Sequence, residues 1–231
     1  MMIAGLSSDH FMRLCVLVLT AALLAGCGLT RQLEPVSVLA PEVAATVDPG
    51  LPMVDWALQV RRPVSDRMRD SERLFVRVGG SRLQAYPGAV WLDQAPDMLQ
   101  ALTVQALEDS GRFQGVGRAG GLRSRFVLDT EMRRFDAVDD GGQNLGVELV
   151  FQVRLISQRS GQVAASHTFE LNARSTGQQL DPLVAAFEQA LADYFSQLLP
   201  WVLDRGQQAA EQEAEWPRSR ARGRDRTEPA E

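Results

Sequence analysis

Apolar residues follow two different periods along this chain, and the switches between them mark out its elements. From Leu145 to Leu155 every second residue is apolar: Leu145, Val147, Leu149, Phe151, Val153 and Leu155. Val163, Ala165, His167, Phe169 and Leu171 repeat the pattern. A period of two buries one face of a strand and wets the other, as in antiparallel sheets. Phe126 to Phe135 predicts a third long strand. Asp139-Asp140-Gly141-Gly142 and Gln158-Arg159-Ser160-Gly161 supply the turns between the three. Shorter strands are expected over Met53 to Val60, Leu74 to Val78 and Leu83 to Trp91. In the last, Pro87-Gly88 imposes an edge or a bend.

Two segments follow the helical period instead. Pro96 opens a helix to about Asp109, with Met98, Leu99, Leu102, Ala106 and Leu107 on one stripe, and Ser110-Gly111 stops it. Asp181-Pro182 starts another, with Asp as N-cap and Pro at the first helical position. Its apolar residues are Leu183, Val184, Phe187, Leu191, Tyr194, Phe195, Leu198, Leu199 and Val202, which cover well over half the circumference. A helix lying on one sheet needs a stripe only a little over ~100° wide. The surplus on Phe195, Leu199 and Val202 therefore calls for a second contact. Another part of the same domain would supply it, or an oligomer or partner surface. The predicted class is α+β: a single domain over residues 53–203, mostly antiparallel sheet with two main helices packed on it.

The N-terminal region obeys neither period. Leu14 to Leu24 is apolar except for Thr20, which suits the core of a signal peptide and is too short for the ~20 residues of a membrane span. Arg13 supplies the positive start, and Met12-Arg13-Leu14 is a more usual opening than Met1. Leu24-Ala25-Gly26-Cys27 looks like a bacterial lipobox. On that reading residues 1–26 are removed and Cys27 carries the lipid that attaches the chain to a membrane. Two chains anchor stably where one does not, each buried CH₂ contributing ~0.8 kcal/mol. Gly28, rather than Asp, after the cysteine favours the outer membrane. Residues 27–52, with Pro35, Pro41, Pro49 and Pro52, read as the lipidated cysteine and a flexible tether. Residues 28–52, fully extended at ~3.1 Å each, reach roughly 75 Å. At the other end, residues 204–231 are rich in Gln, Glu and Arg and read as a disordered charged tail.

Composition narrows the function. Of the two cysteines, Cys15 leaves with the signal peptide and Cys27 takes the lipid, so the mature chain has no disulfide. It must fold on its core, and a domain of about 150 residues buries roughly 70% of its unfolded surface. All 24 basic residues are Arg, against 29 acids, for a net charge of −5. No basic stripe serves a phosphate backbone, so nucleic acid is not an expected partner.

Candidate chemistry is sparse. His167 is the single histidine after the signal segment, in phase with the apolar face of its strand, and reads as a core or edge histidine. No G-x-S-x-G elbow accompanies it, and the counts of His and Cys exclude a zinc site built from them. Gly115-Val116-Gly117-Arg118-Ala119-Gly120 matches G-x-G-x-x-G. A dinucleotide cradle needs a strand before it and a helix after, and here the order is reversed. Asp129 and Glu131 share a strand face, as a glycosidase pair would, but the wet side of a half-buried sheet explains them more simply. Asp136, Asp139 and Asp140 crowd a turn without calcium-loop spacing. No catalytic residue, metal or cofactor is expected.

Four blocks carry a resemblance. They are Arg82-Leu83-Gln84-Ala85-Tyr86 leading to Ala89-Val90-Trp91-Leu92-Asp93; Pro96-Asp97-Met98-Leu99-Gln100 through Leu107 to Phe113; the strand Asp129 to Phe135 with its Gly-rich turn; and Ala185-Ala186-Phe187 through Ala190-Leu191 to Trp201. With the lipobox and the Pro-rich tether, they resemble the ABC-type transport auxiliary lipoproteins, the PqiC-like family, over about residues 53–203. The resemblance implies a sheet with two helices packed on it. It implies a non-catalytic subunit beside an MCE-type ABC transporter that moves lipids between inner and outer membranes. An MCE-domain protein is then the expected partner, the membrane is met through the lipid anchor, and some members form rings, which makes a homo-oligomer a further expectation. The alternative is a scaffold lipoprotein assisting an unrelated outer-membrane complex.

Overall fold

The computed structural model describes residues 35–225, apart from 45, 46, 119 and 122, with side chains to residue 215. Nine strands and two helices follow in the order β1 (Ser37–Leu39), β2 (Ala57–Val60), β3 (Val64–Ser65), β4 (Arg73–Val78), β5 (Arg82–Trp91), α1 (Ala95–Asp109), β6 (Gly115–Arg118), β7 (Phe126–Asp139), β8 (Gly146–Ser157), β9 (Val163–Arg174) and α2 (Leu180–Asp225).

The three long strands expected from alternation form the antiparallel spine β7–β8–β9. β8 alternates without a break between half-buried and buried residues, as its period of two requires. The remaining strands correct the expectation of a mostly antiparallel sheet, because the nine strands make one mixed sheet. β2, β3 and β4 each run parallel to β7, β2 also pairs parallel with β6, and β1 pairs parallel with β5. The cause is connectivity. These short strands enter from loops and crossovers rather than hairpins, and only a hairpin imposes antiparallel order. β5 does bend at Pro87-Gly88: Leu74 alone faces the four residues Tyr86 to Ala89, and Gly88 takes the positive φ of 69° that such a bulge requires. It is not an edge, since β1 and β4 flank it.

Both helices pack on one face of the sheet, and aromatic rings join α2 to it. Phe187 meets Trp91 at 5.1 Å and Phe135 at 5.3 Å. Tyr194 meets Phe151 at 4.7 Å and Phe169 at 5.4 Å. The pairs of Phe187 with Trp91 and of Tyr194 with Phe151 and Phe169 are edge-to-face, and such pairs contribute about 0.5–1.5 kcal/mol each beyond area burial. Burial pushes the Tyr194 phenol well above its ordinary range, and a bond to Thr130 only partly offsets this. Farther along, Gly206 lets α2 approach Trp56, where an added Cβ would lie 2.5 Å from the indole.

Two expectations at the start and end of α2 are corrected. The helix begins at Leu180, two residues before the expected Pro182, with the Leu183 N–H donating to the Gln179 carbonyl at 3.3 Å. Asp181 is therefore in the first turn, where its charge complements the helix dipole, rather than at the N-cap. The segment from Asp204, expected to lack structure, continues the helix to Asp225. Ala210 is buried, and Glu213 accepts from Arg125 Nη2 at 3.1 Å and from the Ser157 hydroxyl. These contacts overcome a polar composition that reads as solvated. Among the described residues no helix is long and apolar enough to cross a membrane.

Candidate functional site

Most of the expected tether lies on the domain. Ser37–Leu39 forms β1 against Ala89–Trp91. Pro41 is buried, and Leu39, Val43, Val47 and Leu51 pack on the core. The Glu42 N–H donates to Glu188 Oε1 on α2 at 3.1 Å, and Arg112, just past α1, donates to the Pro49 carbonyl at 3.2 Å. Residues 37–44 and 47–51 thus form a strap from α2 to the C-terminal end of α1. A periodicity test misses it, because its strand has three residues and its apolar positions follow no single spacing. Nine residues, 28–36, separate Cys27 from β1. Nine residues fully extended at ~3.1 Å each reach roughly 28 Å, against the roughly 75 Å of a tether over 28–52.

The chain's own core accounts for the surplus on α2. Phe195, Leu199 and Val202 are all buried inside the chain's own core, which corrects their expected place on an oligomer or partner surface. The helix is apolar around most of its girth because it is covered on more than one side, by the sheet and by α1. Cys27 lies outside the described residues.

A buried ion cluster on the opposite face of the sheet was not anticipated. Asp136 is fully buried on β7. It accepts from Arg69 Nε at 2.9 Å, from Arg69 Nη2 and from Arg77 Nη2. Arg69 also pairs with Asp66 in its own turn. Burial would lower the Arg69 pKa, but the bonds and charge of Asp136 and Asp66 outweigh it and leave it raised. Burial likewise pushes Asp66 upward, and the N–H and guanidinium of Arg69 overcome this and hold it below its ordinary value. A second cluster fixes the start of α1. Arg62 Nε and Nη2 grip the two oxygens of Asp97 at 2.8 and 2.7 Å, which lowers the Asp97 pKa and raises that of Arg62. These clusters pin the 61–72 segment across the sheet. That segment in turn holds β5 and α1: the Glu72 carbonyl accepts from the Trp91 N–H at 2.6 Å, and the Ser71 carbonyl accepts from the Ala95 N–H at 3.1 Å. No sequence signal links Arg69 to Asp136, 67 positions apart.

The remaining candidates are dispersed. His167 is exposed at the rim of the helix-covered face, edge-on to Phe169 at 4.6 Å and 6.2 Å from Trp201. Asp129 lies 3.7 Å from Arg61 and 3.4 Å from Arg154, and Glu131 lies 3.3 Å from Arg133. The carboxylate pair therefore belongs to a wet, arginine-neutralised face. Gly115–Arg118 is the edge strand β6 and leads into β7 rather than a helix, so it forms no phosphate cradle. Asp136 points away from the turn to which its neighbours belong. Asp139 and Asp140 instead accept from the N–H groups of Gly141 and Gly142. Among the described residues no group of three or more His, Cys, Asp or Glu could hold a metal ion.

The chain thus combines a mixed sheet with both helices on one face, a core crossed by one long helix, and arginine–carboxylate ties on the other face. The chain belongs to the family of ABC-type transport auxiliary lipoprotein components, whose model matches residues 38–198. That match begins within β1, so the strap is part of the family domain. A crystal structure of the Xanthomonas campestris protein XCC0632 is 35% identical with a TM-score of 0.72, covering 76% of this chain and 99% of that one. A second solved structure, of an uncharacterised protein, shares the fold at 16% identity and a TM-score of 0.56, over 70% of this chain and 99% of its own. An uncharacterised protein of Bradyrhizobium diazoefficiens is 25% identical over 157 residues, 67% of this chain. The matched region spans 41% of the length of that relative.

Proposed function

We propose that this protein is a non-catalytic, lipid-anchored adaptor of an MCE-type ABC transport system that moves lipids between inner and outer membranes. The family assignment over residues 38–198 is the observation that carries this reading. Cys27 bears the lipid, the chain faces the periplasm, and the outer membrane holds the anchor. The strap supports a positional role. It ties the N-terminal segment to β5, α1 and α2, so the anchor acts on the rigid domain through a short link instead of a long leash.

The test has two arms. In a Cys27→Ala chain the domain should leave the membrane fraction while keeping its melting temperature. If it stays membrane-bound after signal cleavage, the anchor reading is wrong. In the second arm, crosslinking in living cells should recover an MCE-domain protein. Recovery of an unrelated outer-membrane complex in its place would move the protein to the scaffold reading.

A further inference from the structure

The outer face of the sheet is charged across the spine, with Arg134 paired to Glu148 and Arg154 to Asp129. Its character changes at β1 and β5. Val36, Val38 and Leu92 are 57%, 59% and 65% exposed. The register sets Val38 opposite Val90, and the Leu92 N–H donates to the Leu39 carbonyl at 2.8 Å. Trp91 points into the core, so strand alternation puts Val38, Val90 and Leu92 together on the other side. Three of the seven exposed large apolar side chains among the described residues, Val36, Val38 and Leu92, therefore gather where the anchor segment joins the sheet.

We propose that this patch rests on the lipid surface in which the Cys27 anchor is embedded. The proposal depends on the anchor reading above. Chain length argues for the occupant: nine residues separate Cys27 from β1, and even at ~3.3 Å each they hold the patch within roughly 30 Å of the acyl chains. Contiguous exposed apolar surface marks an interaction site more often than scattered residues do. Aliphatic side chains at the boundary of headgroups and acyl chains add buried apolar area to that of the lipid itself. Contact there fixes which way the domain faces, something a lipid on a free leash cannot do.

The mature chain offers a clean probe, since Cys27 is its single cysteine and its thiol is taken by lipid. Val38→Cys and Leu92→Cys receive an environment-sensitive fluorophore. Val163→Cys, 53% exposed at the start of β9 near the Phe126 end of the spine, is the reference. The lipidated protein is placed in vesicles of phosphatidylethanolamine and phosphatidylglycerol containing brominated lipid. Quenching at positions 38 and 92 should exceed that at 163 several-fold, with a blue-shifted emission. Equal quenching at all three, in protein that floats with the vesicles and carries lipid on Cys27 by mass spectrometry, overturns the proposal alone. A chain without lipid on Cys27 overturns the anchor reading and the proposal together. A blue shift that depends on protein concentration and ignores brominated lipid assigns the patch to a second copy, and overturns it too.

Discussion

Replacing Asp136 with Ala should destabilise the domain by about 3 kcal/mol, near the lower end of the ~3–5 kcal/mol for breaking a buried ion pair. Asp136 has no exposed surface, and it takes two bonds from Arg69 and one from Arg77. Truncation leaves Arg69, whose side chain is 9% exposed, without its buried partner. Arg69 keeps Asp66, which is half exposed, and this residual pair is why the cost sits near the bottom of the range. At roughly 2–4 °C per kcal/mol for a chain of this size, the melting temperature should fall by about 6–12 °C. Urea denaturation measures the free energy directly, and the slope of the transition should be unchanged, because the surface exposed on unfolding is the same. Arg69→Met combined with Asp136→Leu should recover much of the loss, since replacing both members of a buried pair with apolar groups is often neutral. An Asp136→Ala cost below about 1 kcal/mol, the range of exposed pairs, would refute the reasoning. It would show that water reaches the cluster and that the 61–72 segment is not clamped by it.

Phe195→Ser with Leu199→Ser should unfold the protein rather than free an interface, since both residues are buried in the core. Removing a buried aromatic side chain alone costs about 3–5 kcal/mol. A folded, less associated double mutant by melting and size-exclusion would contradict this. Gly206→Ala should cost about 1–3 kcal/mol, the range for overpacking, because its Cβ would meet Trp56 Cζ2 at 2.5 Å; a wild-type melt with unchanged tryptophan fluorescence would disprove the contact. Arg62 lowers the Asp97 pKa, so the stability from this pair is whole above the ordinary carboxylate value of ~3.9 and is lost as pH falls through the lower folded value. Asp97→Asn should therefore flatten the acid limb of the melting profile below about pH 4 and leave its neutral region parallel to the wild type.

The spine and both helices were legible because burial on one face writes a period into the sequence. Leu145 to Leu155 could hardly be anything but a half-buried strand, and β8 is that strand. The excess apolar girth around Phe195 was also legible. What lay against it was not, because a helix buried by its own domain and a helix buried by a partner require the same residues. The parallel pairings were hidden for a different reason. β3 has two residues and β1 three, too few to show a period, and their stability comes from β7 and β5. The helical continuation past Asp204 depends on Glu213 finding Arg125, 88 positions earlier.

The course of α2 has one more consequence. Glu188 near its start touches the strap at Glu42, while Glu213 reaches Ser157 at the far end of the spine. The helix then runs on to Asp225. At ~1.5 Å per residue, Glu188 and Asp225 are roughly 55 Å apart along its axis. One continuous rod thus joins the place where the chain enters the sheet to its opposite pole. A molecule engaged at the far tip would be held at a fixed separation from the entry strand, set by backbone hydrogen bonds rather than by random coil. Inserting or deleting one turn beyond Glu213 would alter that separation by ~5.4 Å, so the helix is a gauge whose length can be edited without touching the core.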